Sequence, residues 1–341
     1  MQLQDGFNVA FDVEAETFVE NAGQPLVVHY TLIGQTESSV LRIESVEGLE
    51  AQLDEAQQTI TVTFPDGFER GSLIVMFYDG EENMILKPLV FTTYDGEATG
   101  ICTAEDLKAF AAAVNAGKSL SRYLIDGEVA LMNDIDMTGV DWSDCMIGGT
   151  VTPSTTTANK AVTYTLGEEA FSLVFNGHDH TLKNIDWTFD LSDGNVAHGL
   201  FSGLAAAGEI RNLTLEGRIR LTGTAPQGAV IGAFAGYAEG KLSNCTSRVD
   251  IAFEGEDASN ISVCLGGVVG YGLGAALSEC SNSGTLTCQR IANTANGANS
   301  GFQQGGIIGY AKETTLSECD NEGSLSAPSG RGGGILGVGV S

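Results

Sequence analysis

The chain has 341 residues, 43% hydrophobic and 18% charged, so it is longer than one ordinary domain and is neither disordered nor collagen-like. Lys and Arg number 16 against 44 Asp and Glu, and a formal net charge of −28 repels phosphate backbones and anionic lipid heads, which sets nucleic acid aside as a partner. The apolar runs fall short of the ~20 residues that a membrane span requires, and 45 Gly with only six Pro point to a backbone that turns often at fixed places, as a repeat fold does.

Two domains are expected, at 1–95 and 96–341. Residues 1–100 hold 18 acidic residues and three basic ones (Arg42, Arg70, Lys87), against 26 and 13 in the remainder, so the acidity is concentrated in the first domain. A solvated surface that keeps the protein soluble accounts for it. No motif calls for a cofactor, although the acidic first domain leaves Ca²⁺ open. Up to about Tyr94 the chain alternates apolar and polar residues in short runs, at Leu26–Leu32, Val40–Ile43, Thr59–Phe64, Leu73–Tyr78 and Met84–Thr93. About seven such runs, separated by turn formers at Asn21–Gly23, Pro65–Gly67 and Asp79–Gly80, predict a small antiparallel sandwich of immunoglobulin type. Pro88 cannot donate to a ladder, so it is expected on an edge or at a bulge.

Tyr94–Gly100 reads as a linker. Thr103 then offers an N-cap hydroxyl with the Asp106 carboxylate three residues on, followed by Leu107, Phe110, Ala111 and Val114 at helical spacing and a stop at Gly117. The pattern predicts one helix at about 104–116. A lone amphipathic helix before a strand-rich region suits the end of a stacked β structure, which otherwise exposes a hydrophobic core and a bare strand edge.

From residue 182 onward a four-residue pattern recurs: Leu182-Lys-Asn-Ile185, Ile210-Arg-Asn-Leu213, Leu242-Ser-Asn-Cys245, Leu277-Ser-Glu-Cys280 and Leu316-Ser-Glu-Cys319, at spacings of 28, 32, 35 and 39. A second pattern, Gly-x-apolar-x-Gly, occurs at 199–203, 232–236, 266–270, 305–309 and 333–337, and the gap from its last Gly to the next Leu or Ile is 7, 6, 7 and 7 residues. Constant spacing within the unit and variable spacing between units indicates a coil with fixed strands and one elastic loop. Gly and Ser are too dense for helix. The pattern therefore predicts a parallel β-helix in which Leu182, Ile210, Leu242, Leu277 and Leu316 form one internal ladder and Cys245, Cys280 and Cys319 another, with Asn282-Ser-Gly284 and Asn321-Glu-Gly323 at a corner that suits left-handed backbone. The cysteines read as small core hydrophobes: the seven include no C-x-x-C pair, and no His or carboxylate recurs beside them at ligand spacing.

The copies Gly266-Gly-Val-Val-Gly-Tyr271 with Leu277 to Gly284, and Gly305-Gly-Ile-Ile-Gly-Tyr310 with Leu316 to Gly323, resemble the GLUG-type repeats of bacterial surface proteins. The upstream stretches Asn133–Met137 with Trp142, Phe175–Gly177 with His180, and Gly199–Phe201 are similar to the region before those repeats in adhesin-like proteins of the Bacteroides group. The resemblance covers about 101–341. It implies a right-handed parallel β-helix, export as a lipoprotein to the outer surface of a bacterium, and adhesion to a host surface protein or glycan. Met1-Gln-Leu-Gln-Asp5 is no signal segment, so the sequence is read as a mature chain with Met1 added, a lipid anchor lying upstream. The repeat at 333–337 breaks off before its Leu-Ser-x-Cys partner, and continuation past Ser341 is expected.

Parallel β-helices also host polysaccharide lyases and glycosidases, so the site has to be argued separately from the fold. Asp134, Asp136, Asp141 and Asp144 are the densest candidates for a carboxyl pair, but they are read as turn and corner residues. In Gly177-His-Asp-His180 two imidazoles and a carboxylate invite a metal reading, but a short turn fans such side chains apart, with His178 as an exposed neighbour. Arg218 and Arg220 alternate on an expected strand and can face an anionic ligand together. No phosphate loop and no Gly-x-Ser-x-Gly elbow occurs. No catalytic residue and no metal ligand is assigned. Asp134, Asp136, His178, Arg218 and Arg220 stand as binding candidates, with variable loops at 222–227, 253–260 and 289–304. The expected function is non-catalytic adhesion, with a β-helix carbohydrate-active enzyme as the alternative.

Overall fold

A computed structural model describes residues 7–19, 24–65, 68, 70–78, 80, 83–92, 98–155, 162–225, 228–257, 263–288, 302–326 and 331–340. The chain is mostly β, with several parallel sheets and, among the described residues, a single α-helix. It divides into two compact units, Met1–Glu97 and Ala98–Ser341.

Among the described residues, the first unit contains two four-stranded sheets. One has the order Asn8–Phe11, Leu26–Ile33, Thr59–Thr63, Glu50–Asp54, all antiparallel. The other has the order Glu16–Phe18, Met84–Thr92, Arg70–Tyr78, Val40–Glu47, antiparallel except for its first pair. Alternate residues of both sheets, among them Val28, Ile60, Val62, Val75, Phe77 and Phe91, meet in one buried cluster, because side chains on a strand point to opposite faces in turn. Three strands, Asn8–Phe11, Glu16–Phe18 and Glu50–Asp54, are absent from the expected runs: they are short, and Asn8, Glu50, Gln52 and Asp54 interrupt the apolar pattern of two of them. Pro88 stands opposite Ile74, on a strand whose other side is paired only from Val90 onward among the described residues, so its missing donor costs no ladder bond there. The expected turns at Asn21–Gly23, Asp66-Gly67 and Asp79 lie outside the described residues, as do residues 94–97 of the linker.

The second unit opens on the helix Ala104–Asn115. Thr103 accepts from the Asp106 amide and the Asp106 carboxylate accepts from the Thr103 amide, a reciprocal capping box. Gly117, at φ +62°, takes the left-handed conformation that ends the helix. The buried face, Leu107, Phe110, Ala111 and Val114, covers the first strands, and the Phe110 ring lies against Tyr123, Phe171 and Phe175.

Behind the helix the chain runs repeatedly through three parallel sheets. The first and widest contains Val174–Asp190, Glu209–Thr222 and Lys241–Phe253, continued by the short strands Ala276–Ser278, Ser281–Asn282 and Leu286–Cys288 and then by Thr315–Ser317, Asp320–Asn321 and Leu325–Ser326. The second runs Ala197–His198, Ala229–Gly232, Val263–Gly266, Phe302–Gly305, Arg331–Gly333, and the third Phe201–Leu204, Ala235–Ala238, Val269–Leu273, Ile308–Lys312, Leu336–Val340. Each circuit visits the three in turn.

Register decides which repeats stack. Ile210, Leu242, Leu277 and Leu316 stand side by side on successive strands. Leu182 does not join them. Phe175 pairs with Ile210, while Leu182 pairs with Ile135 on one side and Leu215 on the other and belongs to a different file, Ile135, Leu182, Leu215, Ser247, Asn282, Asn321. The tetrad at Leu182 shares only the local turn: its third residue, like that of every other copy, has positive φ, at Asn184 (59°), Asn212 (52°), Asn244 (50°), Glu279 (54°) and Glu318 (53°). That third residue is the left-handed position. Asn282 instead points inward, where its amide donates to the Asn321 side-chain oxygen at 2.8 Å and to the Gly284 carbonyl at 3.1 Å. A Cβ on Gly267 would meet the Asn282 side chain, so the glycine pair at 266–267 makes room for this internal amide file. Gly203 is likewise displaced by one place: it pairs with Tyr237, in a file continued by Tyr271 and Tyr310.

All seven cysteines are thiols, with no disulfide among them. Cys245, Cys280 and Cys319 donate to the carbonyls of Ile210, Leu242 and Leu277 one circuit earlier, at 3.5, 3.6 and 3.7 Å. The hydrogen bond with Cys245, and then burial, push the Cys280 thiol above its ordinary range, so it remains a protonated core group.

Candidate functional site

The exposed face of the first sheet of the second unit collects the site candidates. The strands Val174–Asp190, Glu209–Thr222 and Lys241–Phe253 carry six Lys or Arg and six Asp or Glu, a balanced face in a chain of net charge −28. Opposite charges stand on adjacent strands because parallel pairing brings together residues about one circuit apart.

Arg218 and Asp186 are in register, 32 residues apart. The guanidinium donates through Nε and Nη2 to the two Asp186 oxygens at 2.8 and 2.7 Å, the bidentate fork that Arg favours. Arg220 adds a third bond to Asp186 at 3.1 Å and reaches the Thr188 hydroxyl at 3.3 Å. Arg218 holds the Asp186 carboxyl below its usual range. Arg218 and Arg220 thus face one way, with an aspartate fastened between them.

Asp134 precedes, and Asp136 ends, the short strand Ile135–Asp136. Asp134 accepts from Lys183 Nζ at 2.8 Å, the Thr181 amide at 3.0 Å and His180 Nδ1 at 3.4 Å. Asp136 accepts from the Thr138 hydroxyl at 2.6 Å, the Thr138 amide at 2.9 Å and Asn184 Nδ2 at 2.9 Å. Lys183 and the Thr181 amide pull Asp134 down to about 2, and Thr138 and Asn184 do the same for Asp136. Both act as fasteners between strands. His178 and Asp179 take consecutive left-handed conformations, φ 48° and 62°, in a turn where the His178 amide donates to Asn176 Oδ1 at 3.0 Å. His178 is exposed and His180 is engaged with Asp134. Among the described residues no group of three or more His, Cys, Asp or Glu is placed to hold a metal ion.

An open depression of about 370 Å³ adjoins the arginine pair, lined by Gly139, Val140, Asp141, Ser143, Asp186 and Thr188. Asp141 accepts from the Ser143 amide at 3.0 Å and hydroxyl at 2.8 Å, which lowers its pKa. Asp144 lines a different depression, with Asn115 and Glu169. The carboxyls of Glu128, Asp134, Asp136, Asp141, Asp186 and Asp190 are all held down by hydrogen bonds or cations, so they are anionic at neutral pH. That is the opposite displacement from the one a glycosidic general acid needs.

Sequence reasoning missed Asp186, the hub of the arginine pair. The signal was its distance of 32 residues from Arg218, which equals the Ile210 to Leu242 spacing. It also missed Glu128, which takes Arg211 at 2.6 Å and Asn176 at 3.0 Å, and the amide file, running from exposed to buried, in which Asn244 donates to Asn212 and Asn212 to Asn176. Parts of the expected variable loops are ordered, since Thr224–Ala225 pairs in parallel with Glu256–Asp257. Residues 226–227, 258–260 and 289–301 lie outside the described residues.

In comparisons with known proteins, no family model and no curated protein matches the chain.

Proposed function

We propose that the chain is a non-catalytic, exported surface protein of GLUG-repeat type that binds a host surface protein or glycan. On this reading the first unit is an immunoglobulin-like sandwich serving as spacer. The second is a right-handed parallel β-helix with a capping helix, held at the outer surface of a bacterium by a lipid anchor upstream. The in-register file of Ile210, Leu242, Leu277 and Leu316, the thiols of Cys245, Cys280 and Cys319 each bonded to a carbonyl one circuit earlier, and three parallel sheets visited once per circuit support the β-helix reading. No cofactor enters the proposal.

The observation that carries the binding role is the exposed, charge-balanced face on which Arg218 and Arg220 share Asp186 beside an open depression. Rigid backbone pairing holds these side chains in place, so a ligand that meets them pays little ordering entropy. Arg218 retains unused guanidinium donors and is 57% exposed, suited to a carboxylate or hydroxyl of the ligand.

The test is a glycan and host-matrix array run in parallel with an assay for unsaturated ends released from acidic polysaccharides. Binding without release, weakened about tenfold or more by Arg218→Ala with Arg220→Ala, is the expected result. Release of ends that is abolished by Asp141→Asn or Asp186→Asn would establish the enzyme alternative instead.

A further inference from the structure

The depression beside the arginine pair offers hydrogen-bonding groups of both kinds, and several are unused among the described residues. Asp141 takes the Ser143 amide and hydroxyl on Oδ1 alone, and its Oδ2 makes no bond. Asp186 carries two bonds on Oδ1 but one on Oδ2, which keeps a lone pair. Thr188 Oγ1 accepts from Arg220 Nε at 3.4 Å and Nη2 at 3.3 Å, so its own hydrogen is left to donate. The Nη1 groups of Arg218 and Arg220 are also unengaged, since both side chains bond through Nε and Nη2. Val140, half-buried, supplies the apolar part of the lining. The volume of about 370 Å³ lies near the lower end of those that hold small ligands.

Charge argues against an acidic ligand. Asp141 and Asp186 line the depression, Arg218 and Arg220 bind Asp186, and Lys108 favours the charged form of Asp141. Asp144, which lines the other depression, acts together with Lys108 on the Cys145 thiol. On the next strand Asp250 stands in register with Arg218, and Arg248 lies 3.9 Å from Glu216; Asp190 follows Thr188 by two residues. The cations Lys108, Arg218, Arg220 and Arg248 are thus matched or outnumbered by carboxylates, and an anionic ligand meets in addition the field of a chain at −28. A cationic ligand meets the two arginines. A hydroxyl both donates and accepts, and a saccharide ring carries several side by side, whereas a peptide would bring apolar side chains to a lining in which only Val140 receives them.

We infer that this depression takes an uncharged hexose saccharide, whose hydroxyls donate to Asp141 Oδ2 and Asp186 Oδ2 and accept from the Thr188 hydroxyl and the Nη1 groups of Arg218 and Arg220. The inference rests on the binding role proposed above and narrows its ligand to neutral sugar.

The experiment titrates the full chain, by saturation-transfer NMR or calorimetry, with trisaccharides of glucose, galactose and mannose, with their uronate counterparts and with a glucosamine trisaccharide, each to about 10 mM. At least one neutral trisaccharide should bind about tenfold or more tightly than its uronate form, and its affinity should change less than about twofold between about 50 and about 500 mM salt. Thr188→Val, which removes the hydroxyl and keeps the shape, should weaken that binding about 3- to 10-fold. Asp141→Asn keeps an oxygen for Ser143 but turns the unused acceptor into a donor, so it should weaken the neutral sugar and narrow the gap to the uronate. Circular dichroism establishes that each variant is folded at the temperature of the titration. Uronate or glucosamine trisaccharides that bind as tightly as the neutral ones, or neutral binding that both variants leave unchanged, would overturn the inference and leave the binding role standing. So would a host protein or matrix ligand whose binding depends on Arg218 and Arg220 while no trisaccharide binds. If nothing binds on the arrays or in these titrations, the binding role and the inference fall together.

Discussion

His198 is fully buried: its Nε2 lies 3.1 Å from the Asn195 carbonyl, its Nδ1 has no hydrogen-bond partner, and its ring packs on Phe189. Burial drives its pKa down to about 4, so between about pH 6.5 and 4 the unfolded chain binds a proton that the folded chain refuses. Stability is therefore complete above about pH 6.5 and falls as the pH drops towards 4, by an amount on the order of 3 kcal/mol. Urea unfolding at several pH values checks this, and His198→Gln should flatten the profile over that window. A second residue-scale expectation concerns the left-handed turn. Glu279 holds φ +54° where two other circuits place Asn212 and Asn244, and Asn tolerates that region better than Glu. Glu279→Asn should raise stability by about 0.5–1 kcal/mol in the same assay, and Glu279→Val should lower it.

The leucine file and the capping helix are separable contributions at the scale of elements. Leu277 lies in register between Leu242 and Leu316 and is 1% exposed. Leu277→Ala should cost about 2–5 kcal/mol, since close-packed neighbours cannot collapse onto the void. Phe110→Ala should cost about 3–5 kcal/mol by uncovering Phe171 and Phe175, and Thr103→Ala about 1 kcal/mol through loss of the cap alone. Thermal melts of the three variants rank them. The helix was legible in the sequence because cap, apolar face and glycine stop all lie within fifteen neighbouring residues. The Leu182 tetrad misled for the complementary reason. It has the same local turn as the others, with Asn184 left-handed, but local geometry does not state which circuit neighbour a strand will meet. Its spacing of 28, shorter than the 32 to 39 of the other copies, was the available warning.

Over the whole molecule, the net charge of −28 was legible in the composition, and the recurrent Gly and Leu-x-x-Cys patterns implied repeated short strands. Those properties depend on net charge and on residues close in sequence, so they can be read without coordinates. The tertiary structure decided the rest. It placed Phe175 in the Ile210 file in place of Leu182, turned Asn282 and Asn321 inward as an amide ladder, set Tyr237, Tyr271 and Tyr310 in one file, and brought Asp186 between Arg218 and Arg220. Each of these pairings joins residues 32 to 39 positions apart. Parallel register sets such contacts through the lengths of intervening loops and bulges, and shifting a strand by one residue exchanges its inward and outward faces. A single sequence records the residue types that can stack; which of them do stack is settled only when backbone hydrogen bonding and core burial are satisfied together around every circuit.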